Sequence, residues 1–222
     1  MALQAAEEET IESLKQWWRE NGKQLVLLVV VVLAGYTGWL LWQNNSLDRA
    51  EAASDLYEEI MGLAIIEQGS TVSDADSERI IAAATELRAE YGSSIYAKFG
   101  ALFEAQQHVS SDNLDAAESA LQWILDNQSE GMFAEAEPGL ILTANLRLGR
   151  VLLSKGEQER ALTLVNAVDP QSFEPAFAEL RGDIYIGMGR TEDAREAYLA
   201  AQQAGANSNA LRMKIDALAD ES

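Results

Sequence analysis

The sequence predicts an all-α protein with one apolar N-terminal span followed by a solenoid of stacked helix pairs. Three observations predict it. The stretch LVLLVVVVLAGYTGWLLW, from Leu25 to Trp42, sits in a window with no charged side chain between Lys23 and Asp48. After Ser46, apolar residues keep to i, i+3, i+4 spacing, and no hairpin signal or period-2 run interrupts them. Finally, the chain overlays itself at a shift of 33 residues, Leu146–Val168 lying over Glu179–Ala201.

Met1–Glu9 is acidic, lacks an apolar pattern and reads as disordered. From Thr10, a plausible N-cap, Ile11, Leu14 and Trp18 recur at helical spacing up to a stop at Asn21-Gly22. Residues 1–22 therefore read as a tail ending in a short amphipathic helix at the membrane interface.

The span, residues 23–43, could be a buried core helix, a cleaved signal or a membrane anchor. A core helix keeps a polar stripe, and this one has none. A cleavable signal has a shorter apolar core followed by small residues, whereas this run ends in bulky Trp39, Leu40, Leu41 and Trp42. Eighteen residues make a helix of roughly 27 Å, close to the hydrocarbon thickness of a bilayer. The anchor reading is the one that fits. Lys15, Arg19 and Lys23 precede the span, while Arg49 is the single basic residue in the 36 positions after Trp42. The positive-inside rule puts the N-terminus in the cytoplasm and residues 46–222 on the far side. Trp17, Trp18, Trp39 and Trp42 stand where aromatic belts form. Ala34 and Gly38, four apart, would let a second membrane helix approach closely.

From Ser46 onward there are 13 Lys plus Arg against 31 Asp plus Glu. That balance disfavours nucleic acid as a partner. The chain has no cysteine, which removes thiol catalysis and thiolate metal sites. A helix over Leu47–Glu67, stopped at Gly69, and a second through Ile80 to Tyr91 form a first, irregular pair. Helices from Ser94 onward break near Ser110–Asp112, Asn127–Glu130, Lys155-Gly156, Asp169–Gln171 and Gly189-Arg190. Pro138, Pro170 and Pro175 fall at helix starts or connections, where proline is tolerated. Ser208–Ala219 reads as a capping helix, for about four pairs and a cap.

In the overlay, Gly149/Gly182 are mid-helix positions where a neighbour comes close, Gly156/Gly189 are turns, and Ala161/Ala194 start the second helix. Leu152/Tyr185 and Val165/Tyr198 fill the space between. A more degenerate copy has Ala105, His108, Asp112, Ala117, Leu121 and Ile124 at the same spacings, with about 11 residues inserted around Asn127–Glu137. The spacing resembles the tetratricopeptide repeat, whose helix pairs stack because one pair cannot bury its apolar face alone. In such superhelices the first helix of each pair lines a concave groove. The repeat register places Phe99, Leu102, Gln106, Leu146, Arg150, Leu153, Glu179, Asp183 and Ile186 there, a lining suited to an extended peptide or partner helix.

No phosphate-binding loop, nucleophile elbow or zinc-ligand motif is present, and His108 is the only histidine. No catalytic, cofactor-binding or metal-binding residues are expected, and a non-enzymatic binding protein is.

The segments W-W-R-E-N-G-K (Trp17–Lys23), G-W-L-L-W (Gly38–Trp42), D-R-A-E-A-A-S-D-L-Y (Asp48–Tyr57) and A-Q-Q-H-V (Ala105–Val109) together resemble the YfgM family. That resemblance implies a bacterial inner-membrane protein with a periplasmic repeat domain, an ancillary component of the SecYEG translocon. It further implies work with a PpiD-like periplasmic chaperone in passing translocated client proteins onward. The alternative it implies is restraint of a cytosolic stress-response regulator through Glu7–Gly22.

Overall fold

The computed structural model describes residues 2–65, 71–128 and 137–219, with side chains from Lys15 onward. Among the described residues every regular element is helical and none is a strand. The elements are α1 (Ala2–Ala64), α2 (Asp74–Glu90), α3 (Ile95–Ser110), α4 (Leu114–Asp126), α5 (Pro138–Ser154), α6 (Gln158–Ala167), a 3-10 turn at Gln171–Phe173, α7 (Glu174–Gly187), α8 (Thr191–Gln203) and α9 (Asn209–Ala219). They divide into two compact units, Met1–Glu51 and Ala52–Ser222.

The first unit is helix throughout its described length, and its apolar window is exposed among the described residues. That helix is long and apolar enough to cross a membrane. Thr37 keeps its hydroxyl satisfied inside the apolar stretch by donating to the Leu33 carbonyl at 2.9 Å. Two expectations are corrected here. The helix begins at Ala2, where disorder was expected, and Asn21-Gly22 does not stop it. The Asn21 amide donates to the Trp17 carbonyl four residues back at 3.2 Å, and the Trp18 indole packs over Gly22. Both therefore serve the helix interior instead of capping it.

In the second unit, residues 52–64 of α1 lie with α2, and α3/α4, α5/α6 and α7/α8 follow as pairs. The first pair buries Ala53, Ile60, Ile80, Ala84 and Leu87 against Ala97 of α3. The expected stop at Gly69 and most of the insertion around Asn127–Glu137 lie outside the described residues. Helix starts use local chemistry: the Ser73 hydroxyl accepts from the Asp76 N–H at 3.2 Å, Ser94 does the same for Tyr96, and Pro138 and Pro175 occupy first-turn positions.

Within the pairs, the overlaid positions share one geometry. A Cβ on Gly149 would come 3.2 Å from Val165 Cγ2 of its paired α6, and 2.9 Å from Leu180 Cδ2 of the next pair; one on Gly182 would come 2.2 Å from Tyr198 Cε1 of its paired α8. Ala117, Ala161 and Ala194 are fully buried at the equivalent place on α4, α6 and α8. The turns are left-handed at Asp112 (φ 58°), Gly156 (φ 76°) and Gly189 (φ 73°). In each, the next N–H reaches back five residues: Asn113 to His108 at 2.8 Å, Glu157 to Leu152 at 2.9 Å, Arg190 to Tyr185 at 2.8 Å. This is the Schellman closure, which satisfies carbonyls the helix end leaves open. α9 closes the stack by burying Leu211 and Leu218 with Ala178, Tyr198 and Ala201.

Candidate protein-binding groove

The first helices of successive pairs stand in a row, α3 touching α5 and α5 touching α7. Along it the projected positions fall into two sets. Phe99, Gln106, Arg150 and Ile186 are exposed, Phe99 at 37% and Ile186 at 41%. Leu102 and Leu146 are buried at 8% and 7%, packed between the first helices, and Leu153 is half-buried. Glu179 and Asp183 are half-buried as well.

At the α3 end the exposed ring of Phe99 joins an aromatic group around Tyr57. Tyr57 lies 5.4 Å from Tyr96, 6.0 Å from Phe99 and 6.3 Å from Phe103 between ring centroids, inside the range of favourable tilted pairs. In the middle, Gln106 and Arg150 line a cleft of about 280 Å³, walled by Ala105, Val109, Leu114, Leu121 and Val151. Arg147 also lines it, and its Nη1 donates to the Leu102 carbonyl at 3.1 Å. Burial, then the neighbouring charge of Arg150, lowers the pKa of Arg147. Sequence projection missed Arg147. Its place one helical turn ahead of Arg150 was the available signal.

At the α7 end the acids are occupied from α9. Lys214 Nζ donates to Glu179 at 2.8 Å and to both oxygens of Asp183 at 2.6 and 2.9 Å. The Tyr198 hydroxyl also donates to Asp183, at 2.8 Å; burial first and then that carboxylate push the phenol's pKa up. The capping helix thus contributes its lysine to the same two acids that the register assigned to the groove.

Behind the row lie charges that the sequence did not reveal. Lys98, 1% exposed, donates to Glu137 at 2.5 Å, tying α3 to the residue that precedes α5. Arg88 on α2 donates to the buried Glu104 at 2.7 Å, and burial raises the Glu104 pKa against the opposing pull of that guanidinium. His108 Nε2 stands 3.8 Å from Glu104; burial first, then the charge of Arg88, lowers its pKa. The Lys98 and Arg88 pairs tie α3 to its neighbours, whereas His108 and Glu104 share α3. Among the described residues no cluster of three His, Cys, Asp or Glu is placed to hold a metal.

On α1, Ala34 and Gly38 are exposed, and a Cβ on Gly38 would meet nothing within 4 Å beyond its own helix.

The chain is similar over nearly its whole length to proteins named ancillary SecYEG translocon subunit. The Haemophilus influenzae protein is 28% identical over 220 residues, covering 98% of this chain and 100% of the relative. Those of Neisseria gonorrhoeae and Escherichia coli are each 27% identical, covering 98% of this chain and 100% and 99% of theirs. These names bear out the resemblance read from Trp17–Lys23 and the segments that follow it. No solved structure matches the chain. A family model described as a tetratricopeptide repeat-like domain matches residues 15–220, apolar span included. By that match, and by the paired helices with their shared small-residue and turn positions, the chain belongs to the tetratricopeptide repeat-like domain family.

Proposed function

We propose that this protein is a non-enzymatic, membrane-tethered interaction protein of the SecYEG translocon. Full-length likeness to proteins bearing that name is the observation that carries the reading. Residues 1–22 are cytoplasmic, 23–43 cross the inner membrane and 46–222 form a periplasmic repeat domain; the basic flank Lys15, Arg19 and Lys23 supports that orientation. The repeat domain works with a PpiD-like chaperone in receiving translocated chains, through the row formed by α3, α5 and α7. Tethering raises the local concentration of this surface where chains emerge, so weak and brief contacts suffice. Exposed Phe99 and Ile186, with the cleft between them, support an extended ligand running across the row. Ala34 and Gly38 offer a close-approach face for a translocon helix within the bilayer.

Site-specific photocrosslinking in native membranes from Phe99, Leu153 and Ile186, and separately from Ala34 and Gly38, tests the reading. Adducts from the repeat positions to a periplasmic chaperone or a translocating chain, and from the span to a translocon subunit, are expected. Adducts from the span alone would move the function into the membrane helix and leave the groove as packing surface.

A further inference from the structure

The repeat domain carries far more acid than base, and most of its 13 cations are engaged. Eight of its lysines and arginines pair with carboxylates. Arg147 and Arg150 do not, and neither makes an ion pair among the described residues. Arg195 and Arg212 also lack one among the described residues, but they do not line this cleft. Arg147 and Arg150 stand three residues apart on α5, close enough for the charge of Arg150 to act on Arg147, and both border the same apolar cleft.

Two like charges held together beside an apolar wall, in a chain with carboxylates to spare, form a site that lacks its counter-charge. Arg147 uses one N–H on the Leu102 carbonyl, and a guanidinium has five. Arg150 is exposed. The surrounding acid limits what can enter. Its repulsion is screened beyond about 8 Å at physiological salt, so it discriminates by the flanks of a ligand and leaves one well-placed carboxylate acceptable.

We propose that the cleft between α3, α4 and α5 binds an extended segment of a partner protein through one internal Asp or Glu. That carboxylate pairs with Arg150 and Arg147, and the apolar side chain next to it seats on Val109, Leu114 and Val151. The segment's flanks are uncharged or basic. This rests on the groove reading above and names the chemistry its middle section recognises.

The test uses the full chain in nanodiscs and dye-labelled decapeptides capped at both ends, with Leu-Glu or Leu-Gln at the centre of a Ser/Gly background. The Glu peptide should bind roughly tenfold more tightly than the Gln peptide, the size of one charge-assisted hydrogen-bonded pair. Arg150→Gln, with helix content unchanged by circular dichroism, should erase the difference; Arg212→Gln should not. Equal binding of the two peptides, saturable binding of neither, a preference that survives Arg150→Gln, or binding that needs an uncapped C-terminus would each overturn the proposal. Crosslinking from Phe99 and Ile186 in the unaltered chain separates the two ideas. Adducts formed by an unaltered chain that shows no Glu-over-Gln preference sink only the carboxylate site, whereas absence of adducts sinks the groove itself.

Discussion

The pairs α7/α8 and α3/α4 reach the same geometry by different chemistry. In α7/α8 the close approach is made by Gly182 under the buried ring of Tyr198, and the turn by Gly189. In α3/α4 the corresponding residues are Ala105, Leu121 and Asp112, and the helix interior carries Lys98, Glu104 and Gln107, all buried. The first pair is specified by shape, the second partly by charge. What the comparison teaches is that a repeat tolerates loss of its signature residues while the spacing and the left-handed turn persist. The departures gather where α3 must meet other elements: Lys98 reaches Glu137 and Glu104 takes Arg88 of α2.

The largest test of that contrast is on the buried charges. Lys98→Met should lower stability by about 3–5 kcal/mol, because it leaves the Glu137 carboxylate in the interior without its lysine. Replacing both, Lys98→Met with Glu137→Gln, should recover most of that loss. Against the other pair, Lys214 of α9 is about one-third exposed where it meets Glu179 and Asp183, and Lys214→Met should cost about 1 kcal/mol or less. Thermal unfolding of the full chain in detergent, followed by far-ultraviolet circular dichroism, measures all three. If Lys98→Met proved no worse than Lys214→Met, the division into shape-specified and charge-specified pairs would fail.

The next test is on shape. Gly182→Ala places a methyl 2.2 Å from an aromatic carbon that is itself buried, so the ring or the helix must move. The expected loss is about 2–3 kcal/mol. Gly149→Ala meets the end of the Leu180 side chain at 2.9 Å, which can swing aside, and Val165 Cγ2 at 3.2 Å, which needs to give by only a few tenths of an ångström. There the gain in helix propensity, about 1 kcal/mol, should offset most of the crowding. The same melting experiment applies, and equal shifts for the two variants would show that the surroundings of Gly149, on α6 and α7, are as tight as the α7/α8 interface at Gly182.

These contrasts also mark what the sequence could disclose. Gly149, Gly156, Gly182 and Gly189 were legible because close approach and left-handed turns admit few residues, so their spacing survives divergence. The apolar span was legible from length and the absence of charge. Asn21-Gly22 misled because the pair is ambiguous locally. Asn can bond the carbonyl four residues back as readily as it ends a helix, and nothing in the sequence places the Trp18 ring over Gly22. Lys98 was illegible for a different reason: its partner lies 39 residues away across an insertion, and a lysine on a helix reads as surface by default. Of the groove, the exposed positions followed from the register, but the inward turn of Leu102 and Leu146 depended on how closely α3, α5 and α7 pack.

The smallest expected effect concerns the turn that all three regular pairs share. Asp112, Gly156 and Gly189 have φ between 58° and 76°, and each is followed by the same five-residue return hydrogen bond. If the turn requires only a residue that tolerates this region, Gly189→Asp should cost under about 1 kcal/mol, since aspartate visits it with help from its short polar side chain. Gly189→Val, whose branched Cβ opposes the following carbonyl, should cost about 2 kcal/mol. Asp112→Gly should then change stability by less than about 1 kcal/mol, because relief of the left-handed strain is offset by the greater freedom of glycine in the unfolded chain. Melting temperatures of the three variants decide the matter. Were Gly189→Asp as costly as Gly189→Val, the α7/α8 turn would demand glycine for a steric reason that the α3/α4 turn lacks. Asp112 would then mark a true divergence of the two pairs, not a substitution the shared turn permits.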